Sequence, residues 1–165
     1  MLPASLLVAT PDSVARTAPA ASWILARAAA TSSTSSTAPD ALLLAATDPA
    51  QPWGAALDWP AVQGSEDGGR TKHRPGRKAG ALVVLVAGTP TLYVERGGKS
   101  LLSFTTDPEA LRHAAEELAA AVRDGRLAPL AVERADGVSA LGAELGKVLT
   151  AAGFRATPKA LRLRA

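Results

Sequence analysis

The stretch Ala81-Leu-Val-Val-Leu-Val-Ala-Gly-Thr-Pro-Thr-Leu-Tyr-Val-Glu-Arg-Gly-Gly-Lys-Ser-Leu-Leu-Ser-Phe-Thr105 decides the fold. Ala81 to Ala87 is an unbroken apolar run rich in valine, which reads as a buried strand. Gly88-Thr89-Pro90 turns the chain. Thr91-Leu-Tyr-Val-Glu95 alternates, so Leu92 and Val94 share one face. Gly97-Gly98 is a two-residue hairpin signal. Ser100 to Thr105 is then a third strand, and the three make an antiparallel meander.

Downstream, Asp107-Pro108 opens a helix, with Asp as cap and Pro at the first helical position. Leu111, Ala114, Ala115, Leu118, Ala119 and Val122 recur at helical spacing, and Gly125 ends the run. Leu127 to Glu133 reads as a strand ended by Asp136-Gly137. Ser139 caps a second predicted helix with the stripe Leu141, Leu145, Val148, Leu149 and Ala152. Gly153 ends it. Phe154 to Arg164 reads as a short hairpin around Thr157-Pro158-Lys159. Strands mixed with two helices predict an α+β fold, with a mostly antiparallel and barrel-like sheet.

Upstream, Ala41-Leu-Leu-Leu-Ala-Ala46 reads as a short buried strand stopped by Thr47-Asp48-Pro49. A proline-fixed loop follows to Pro60, carrying Trp53 and Trp59. Two tryptophans make this more than a linker, and they are expected to pack back on the fold. Residues 61–80 form a flexible basic link, with five cations in nine positions: Arg70, Lys72, Arg74, Arg77 and Lys78. His73 stands among them. Residues 1–39 hold only Asp12, Arg16 and Arg27 as charges and end in the run Thr31 to Thr37. They read as a low-complexity, disordered or weakly helical leader. The chain thus divides into the leader and a domain over 40–165.

Composition excludes several classes. The 165 residues contain no Cys, so a disulfide framework, a thiolate zinc site and a Cys nucleophile are out. Two histidines cannot build a His-rich metal site, and no metal is expected. No apolar run is long enough to cross a membrane, and Leu6-Leu7-Val8 is too short for a signal-peptide core. The expected location is the cytoplasm. Two RecA-type motor domains, at roughly 150 residues or more apiece, do not fit. The net charge of +3 permits nucleic-acid contact without demanding it.

The motifs give little catalytic chemistry. Gly98-Lys99-Ser100 resembles the end of a phosphate-binding loop, but the pattern needs glycine at position 93, where Tyr stands. Strands flank it instead of a helix, so an exposed hairpin lysine is expected. His113 reads as a surface or boundary residue of the first helix. Glu116 and Glu117 are adjacent on that helix and read as solvating charges rather than an acid–base pair. Asp48, before proline, is a turn residue. The basic cluster has two readings: a solvated linker, or an arm that neutralises phosphates and releases counterions.

Several blocks together resemble a known family. They are Thr47-Asp-Pro-Ala-Gln-Pro-Trp-Gly-Ala-Ala-Leu57, His73-Arg-Pro-Gly-Arg-Lys-Ala-Gly-Ala81, Leu92-Tyr-Val-Glu-Arg-Gly-Gly-Lys-Ser-Leu-Leu102 and Ala151-Ala-Gly-Phe-Arg-Ala-Thr-Pro-Lys-Ala-Leu-Arg. In order and spacing they are similar to the extreme C-terminus of actinobacterial Lhr-type (large helicase-related) proteins, DEAD/DEAH-box relatives. The resemblance covers about residues 40–165. It implies ATP-dependent 3′-to-5′ DNA helicases of DNA repair, with the motor and winged helices upstream and a barrel-like β domain at the end. That C-terminal extension is similar to AlkZ-type DNA glycosylases. ATP and magnesium belong to the family's motor, whose motifs this chain lacks, so no cofactor and no catalytic residue carry over. The leader departs from the family, as in a truncated, frameshifted or split gene product.

Three expectations follow. The first is an accessory DNA-binding domain, with Arg70, Lys72, His73, Arg74, Arg77, Lys78, Arg96 and Lys99 contacting phosphate. Its partners would be DNA and the parent helicase's winged-helix and motor domains. The second is a structural or homo-oligomerisation module with Trp53 and Trp59 at the contact. The third is a glycosylase-like enzyme, for which Asp48, Asp58 and Glu95 are the only acids to name.

Overall fold

A computed structural model describes residues 40–63 and 74–164. The leader 1–39, with its weakly helical expectation, lies outside the described residues, as do Arg70, Lys72 and His73. No described helix is long and apolar enough to cross a membrane.

The three-strand meander forms as the sequence predicts, and the strand upstream joins it at the sheet edge, where it is half-buried to exposed and not buried as expected, with Leu42 52% exposed. β1 (Ala41–Ala45), β2 (Leu82–Val86), β3 (Thr89–Val94) and β4 (Ser100–Ser103) pair antiparallel in that order. The turns differ from expectation. Ala87 and Gly88, at φ 49° and 76°, make the β2–β3 turn by themselves. Thr89 and Pro90 already belong to β3. Val84 pairs with Leu92 while Leu85 pairs with Pro90, so Thr91 is an extra residue on β3. That bulge lets a proline sit in a strand. The β3–β4 loop spans Glu95 to Lys99, longer than a two-residue hairpin, and is closed by Gly98 N–H donating to Glu95 O at 2.8 Å.

Helix α1 (Pro108–Arg123) starts as read: Asp107 accepts from the amides of Glu109 and Ala110. Such a cap stabilises by about 1 kcal/mol. Its buried face is mostly alanine, with Leu111, Leu118 and Val122, so the helix can lie close to the sheet. It packs with Val84, Val86, Leu92, Val94 and Leu101 in the main core. Alternation puts Tyr93 and Leu102 on the opposite face, in a smaller cluster with Ala46, Ala81 and Phe104, covered by Trp59 and Val62. Every residue of β3 after Thr89 is buried because both faces are covered.

Beyond α1 the chain departs from the prediction. Leu127 to Glu133 is not one strand. β5 (Leu130–Val132) joins a second sheet, and β6 (Arg134–Ala135) joins the first, parallel to β4. The switch is pinned at Lys99, whose carbonyl accepts from both Glu133 and Arg134 amides, at 2.8 and 3.0 Å. β7 (Val138–Ser139) pairs with β6, so Ser139 is a strand residue and not a cap. Helix α2 (Glu144–Ala151) begins after Ala143, which makes no side-chain cap. Leu141 is consequently outside the helix and 45% exposed. Gly146 of α2 has no room for a side chain, because one would collide with the Ala140 carbonyl.

β8 (Arg155–Ala156) and β9 (Leu161–Leu163) form the predicted terminal hairpin and complete the second sheet, in the order β5-β9-β8. The first sheet runs β1-β2-β3-β4-β6-β7. The fold is α+β, and all strand pairs but β4–β6 are antiparallel. The described strands make two sheets in linear order, and no closed barrel forms among them.

Candidate nucleic-acid interface

The described part of the basic link is fixed to the fold. Tyr93 reaches through the smaller cluster and donates to Gly76 O at 2.9 Å. Burial pushes the Tyr93 hydroxyl above its ordinary pKa. Arg77 donates to three backbone carbonyls: Gln51 at 2.6 Å, Thr47 at 3.0 Å and Asp48 at 3.2 Å. Its guanidinium therefore organises the tryptophan loop. Gly54, at φ 74°, leaves the space that the Trp59 indole and the Arg77 stem fill. Arg74 and Lys78 are exposed, and the Lys78 ammonium donates to the Arg74 carbonyl at 3.3 Å.

Of the hairpin cations, Arg96 is exposed, and its stem lies along Gly80, where a side chain would meet it at 3.3 Å. Arg96 thus joins the end of the basic link. Lys99 is 71% exposed and pairs with Glu133 at 3.3 Å. Gly98-Lys99-Ser100 lies between two strands and offers no helix N-terminus, so these residues do not fit a nucleotide's phosphates.

The tryptophan loop packs back as expected at Trp59. Its indole stacks on Phe104 at 5.9 Å and meets Tyr93 edge-on at 5.5 Å. Trp53 is half-buried and bridges to Leu57, which is itself 52% exposed. Asp48 is a turn residue, accepting from Ala50 N–H at 2.8 Å. Asp58 is exposed and Glu95 is half-buried. Glu116 pairs with Arg112 at 2.9 Å and Glu117 with Arg126 at 3.0 Å, as solvating charges do. His113 sits beside Glu109 and Glu116 on the same helix. No group of His, Asp or Glu among the described residues could hold a metal.

One carboxyl that the sequence did not flag is perturbed. Asp136, at φ 50° in the β6–β7 turn, accepts from the Ser103 amide at 2.6 Å and the Ser103 hydroxyl at 2.9 Å. Burial raises its pKa, and the two Ser103 hydrogen bonds partly offset that. It ties the turn to β4.

The sequence reading also missed a cluster of arginines. Arg123, Arg155, Arg162 and Arg164 line a groove of about 700 Å³ with no acid among the described residues of its wall. A signal was present: residues 154–165 hold four cations and no acid. Reading that stretch only as a hairpin hid it.

No family model matches the chain. A protein of Mycolicibacterium smegmatis named "Lhr helicase/ probable uracil glycosylase" is 48% identical over 131 residues, covering 75% of this chain and 8% of that relative. An Escherichia coli protein named "Lhr helicase/uracil glycosylase" is 41% identical over 68 residues, covering 41% of this chain and 4% of that relative. The chain spans less than a tenth of the length of either.

Proposed function

We propose that this chain, a relative of the Lhr-type helicases over three quarters of its length, is a C-terminal accessory domain that binds DNA through the phosphate backbone. It works beside winged-helix and motor domains of a cytoplasmic repair helicase. Arg74, Lys78 and Arg96 make the contacts, with Arg70, Lys72 and His73 extending them along the link. Lys99 contributes less, because Glu133 competes for it. Arg77 acts by holding the loop beneath. ATP and magnesium serve the motor. The observation that carries this reading is the anchoring of residues 74–78 by Tyr93 and Arg77, which presents cations on a fixed surface. Cations held in place contact phosphates without first being ordered.

The chemistry predicts binding that is salt-sensitive and indifferent to sequence, since phosphate contacts carry no base information. An Arg74→Ala, Lys78→Ala, Arg96→Ala chain should bind a labelled DNA duplex about tenfold more weakly, with a shallower salt slope. Unchanged affinity in a polarisation titration would remove these residues from the interface.

A second reading is favoured by the relatives' names, both of which include uracil glycosylase. It needs an acid or amide that activates water beside a base pocket. Asp136 is the described carboxyl whose pKa burial raises, yet both its oxygens are engaged by Ser103. Release of uracil from a uracil-containing duplex by this chain would establish that reading. An oligomerisation role has less support, since Trp59 packs inward and leaves Leu57 as the exposed apolar residue of the loop.

A further inference from the structure

The arginine groove is built at a cost to the fold. Arg155 and Arg162 face each other directly across the β8–β9 pair, and both are exposed. Like charges in opposed positions of an antiparallel pair are destabilising. Arg164 lies two residues beyond Arg162, on the same outward side, while Leu161 and Leu163 point into the core. Outside the backbone ladder, no side-chain hydrogen bond or ion pair joins the guanidinium of Arg155, Arg162 or Arg164 to any described residue. Their charges do nothing for the fold.

The platform beneath them is rigid. Thr157 closes the hairpin twice, donating to Ala160 O at 2.7 Å and accepting from Ala160 N–H at 3.2 Å. Phe154, Leu161 and Leu163 anchor it in the main core. The groove's wall is Arg123, whose guanidinium donates to Ala152 O at 2.6 Å at the end of α2. Gly153, at φ 108°, makes this possible, because a side chain there would collide with that guanidinium. Arg123 is thus held by the fold, and the other three are left outward beside it.

We propose that Arg155, Arg162 and Arg164, walled by Arg123, form a groove that binds the phosphodiester backbone of a nucleic-acid strand. Guanidinium forks match phosphate oxygens in pairs and are less strongly hydrated than ammonium groups. Arg162 lies in β9 and Arg164 just past its end, so an extended path of two residues sets them about 6.8 Å apart, suited to successive phosphates of an extended chain. The described residues of the groove lining include no aromatic side chain, so it holds the backbone and does not stack bases. This site shares its ligand class with the interface proposed above but none of its residues.

The test uses the full 165-residue chain and fluorescence polarisation of a labelled single strand and a labelled duplex, across a salt series. An Arg155→Ala, Arg162→Ala, Arg164→Ala chain should lose at least about tenfold in affinity for one or both, and its single-strand salt slope should fall by about 2. The DNA form that loses more identifies which backbone the groove takes. Replacing the same three residues with Lys should keep most of the slope. Arg162→Ala alone should raise the melting temperature by about 2 °C, since it removes a like-charge pair. Wild-type affinity and slope in the triple-Ala chain would overturn the proposal. Displacement of both DNAs by equimolar pyrophosphate would also overturn it, making the groove a small-anion site. Running the Arg74→Ala, Lys78→Ala, Arg96→Ala chain in parallel separates the two interfaces, because each set should fail alone.

Discussion

The two cationic regions look alike in sequence and differ in what their charges do. Residues 70–78 carry five cations and no acid, and residues 154–165 carry four cations and no acid. The rest of the chain holds nine cations against fifteen acids, so both regions stand out from an acidic body. Within the first region Arg77 is occupied by three carbonyls and Lys78 reaches a fourth. Within the second, three arginines are unpaired among the described residues, two of them set directly against each other. A density of charge in sequence is therefore a poor guide to which cations remain available for a ligand. Availability depends on what the fold has already engaged.

The largest break in this comparison should come from Trp59→Ala. Trp59 covers Tyr93 and Phe104, and removing it should cost about 3 kcal/mol and loosen the tie from Tyr93 to Gly76. Urea denaturation measures the loss, and a change below about 1 kcal/mol would mean that the loop does not anchor the link.

Arg77→Ala should cost about 2 kcal/mol through its lost carbonyl bonds, yet lower DNA affinity only as far as the loop shifts. Arg162→Ala should do the reverse, weakening DNA binding with no loss of stability. If both variants change stability alike, the distinction between engaged and available cations collapses.

Smaller still is a pH effect at Asp136. Its folded pKa is raised above the ordinary 3.8, so its contribution is fullest below that value and is lost as pH rises through the raised one. Asp136→Asn removes this dependence, so the variant should gain on the wild type as pH climbs from about 3 to 7. A constant difference in urea midpoint over that range would contradict the sign. Glu109 runs the other way: hydrogen bonding and charge from Arg112 lower its pKa, and its contribution fades as pH falls.

The smallest expected effect is Lys99→Ala. Its pair with Glu133 is exposed, and such pairs contribute between about 0 and 1 kcal/mol. A thermal melt should move by about 2 °C or less, while a larger fall would place Lys99 among the engaged cations.

The meander and α1 were legible because their signals are local. Leu92 and Val94 alternate around Tyr93, and Asp107-Pro108 carries its cap in the sequence itself. The β5-to-β6 switch was not legible, because the Lys99 carbonyl that pins it lies more than thirty residues upstream. Ser139 looked like a cap, yet pairing with Arg134 made it a strand residue. At the candidate interface, Arg74, Lys78 and Arg96 are named from charge and position, and the structure lays Arg96 along the end of the link. The engagement of Arg77 by three distant carbonyls had no local sign. Arg123 joins the groove from a helix about thirty residues away, a proximity that only the packing of α1 against α2 creates.

If this domain grips nucleic acid by its phosphates, ionic strength governs its affinity. The most direct measurement is a salt titration of the full chain on two DNA duplexes of equal length and unrelated sequence. Both duplexes should fall on one line, with log affinity decreasing against log salt by about 0.9 for each phosphate neutralised and several phosphates in all. No detectable binding at low salt, or an affinity that ignores salt, would contradict it.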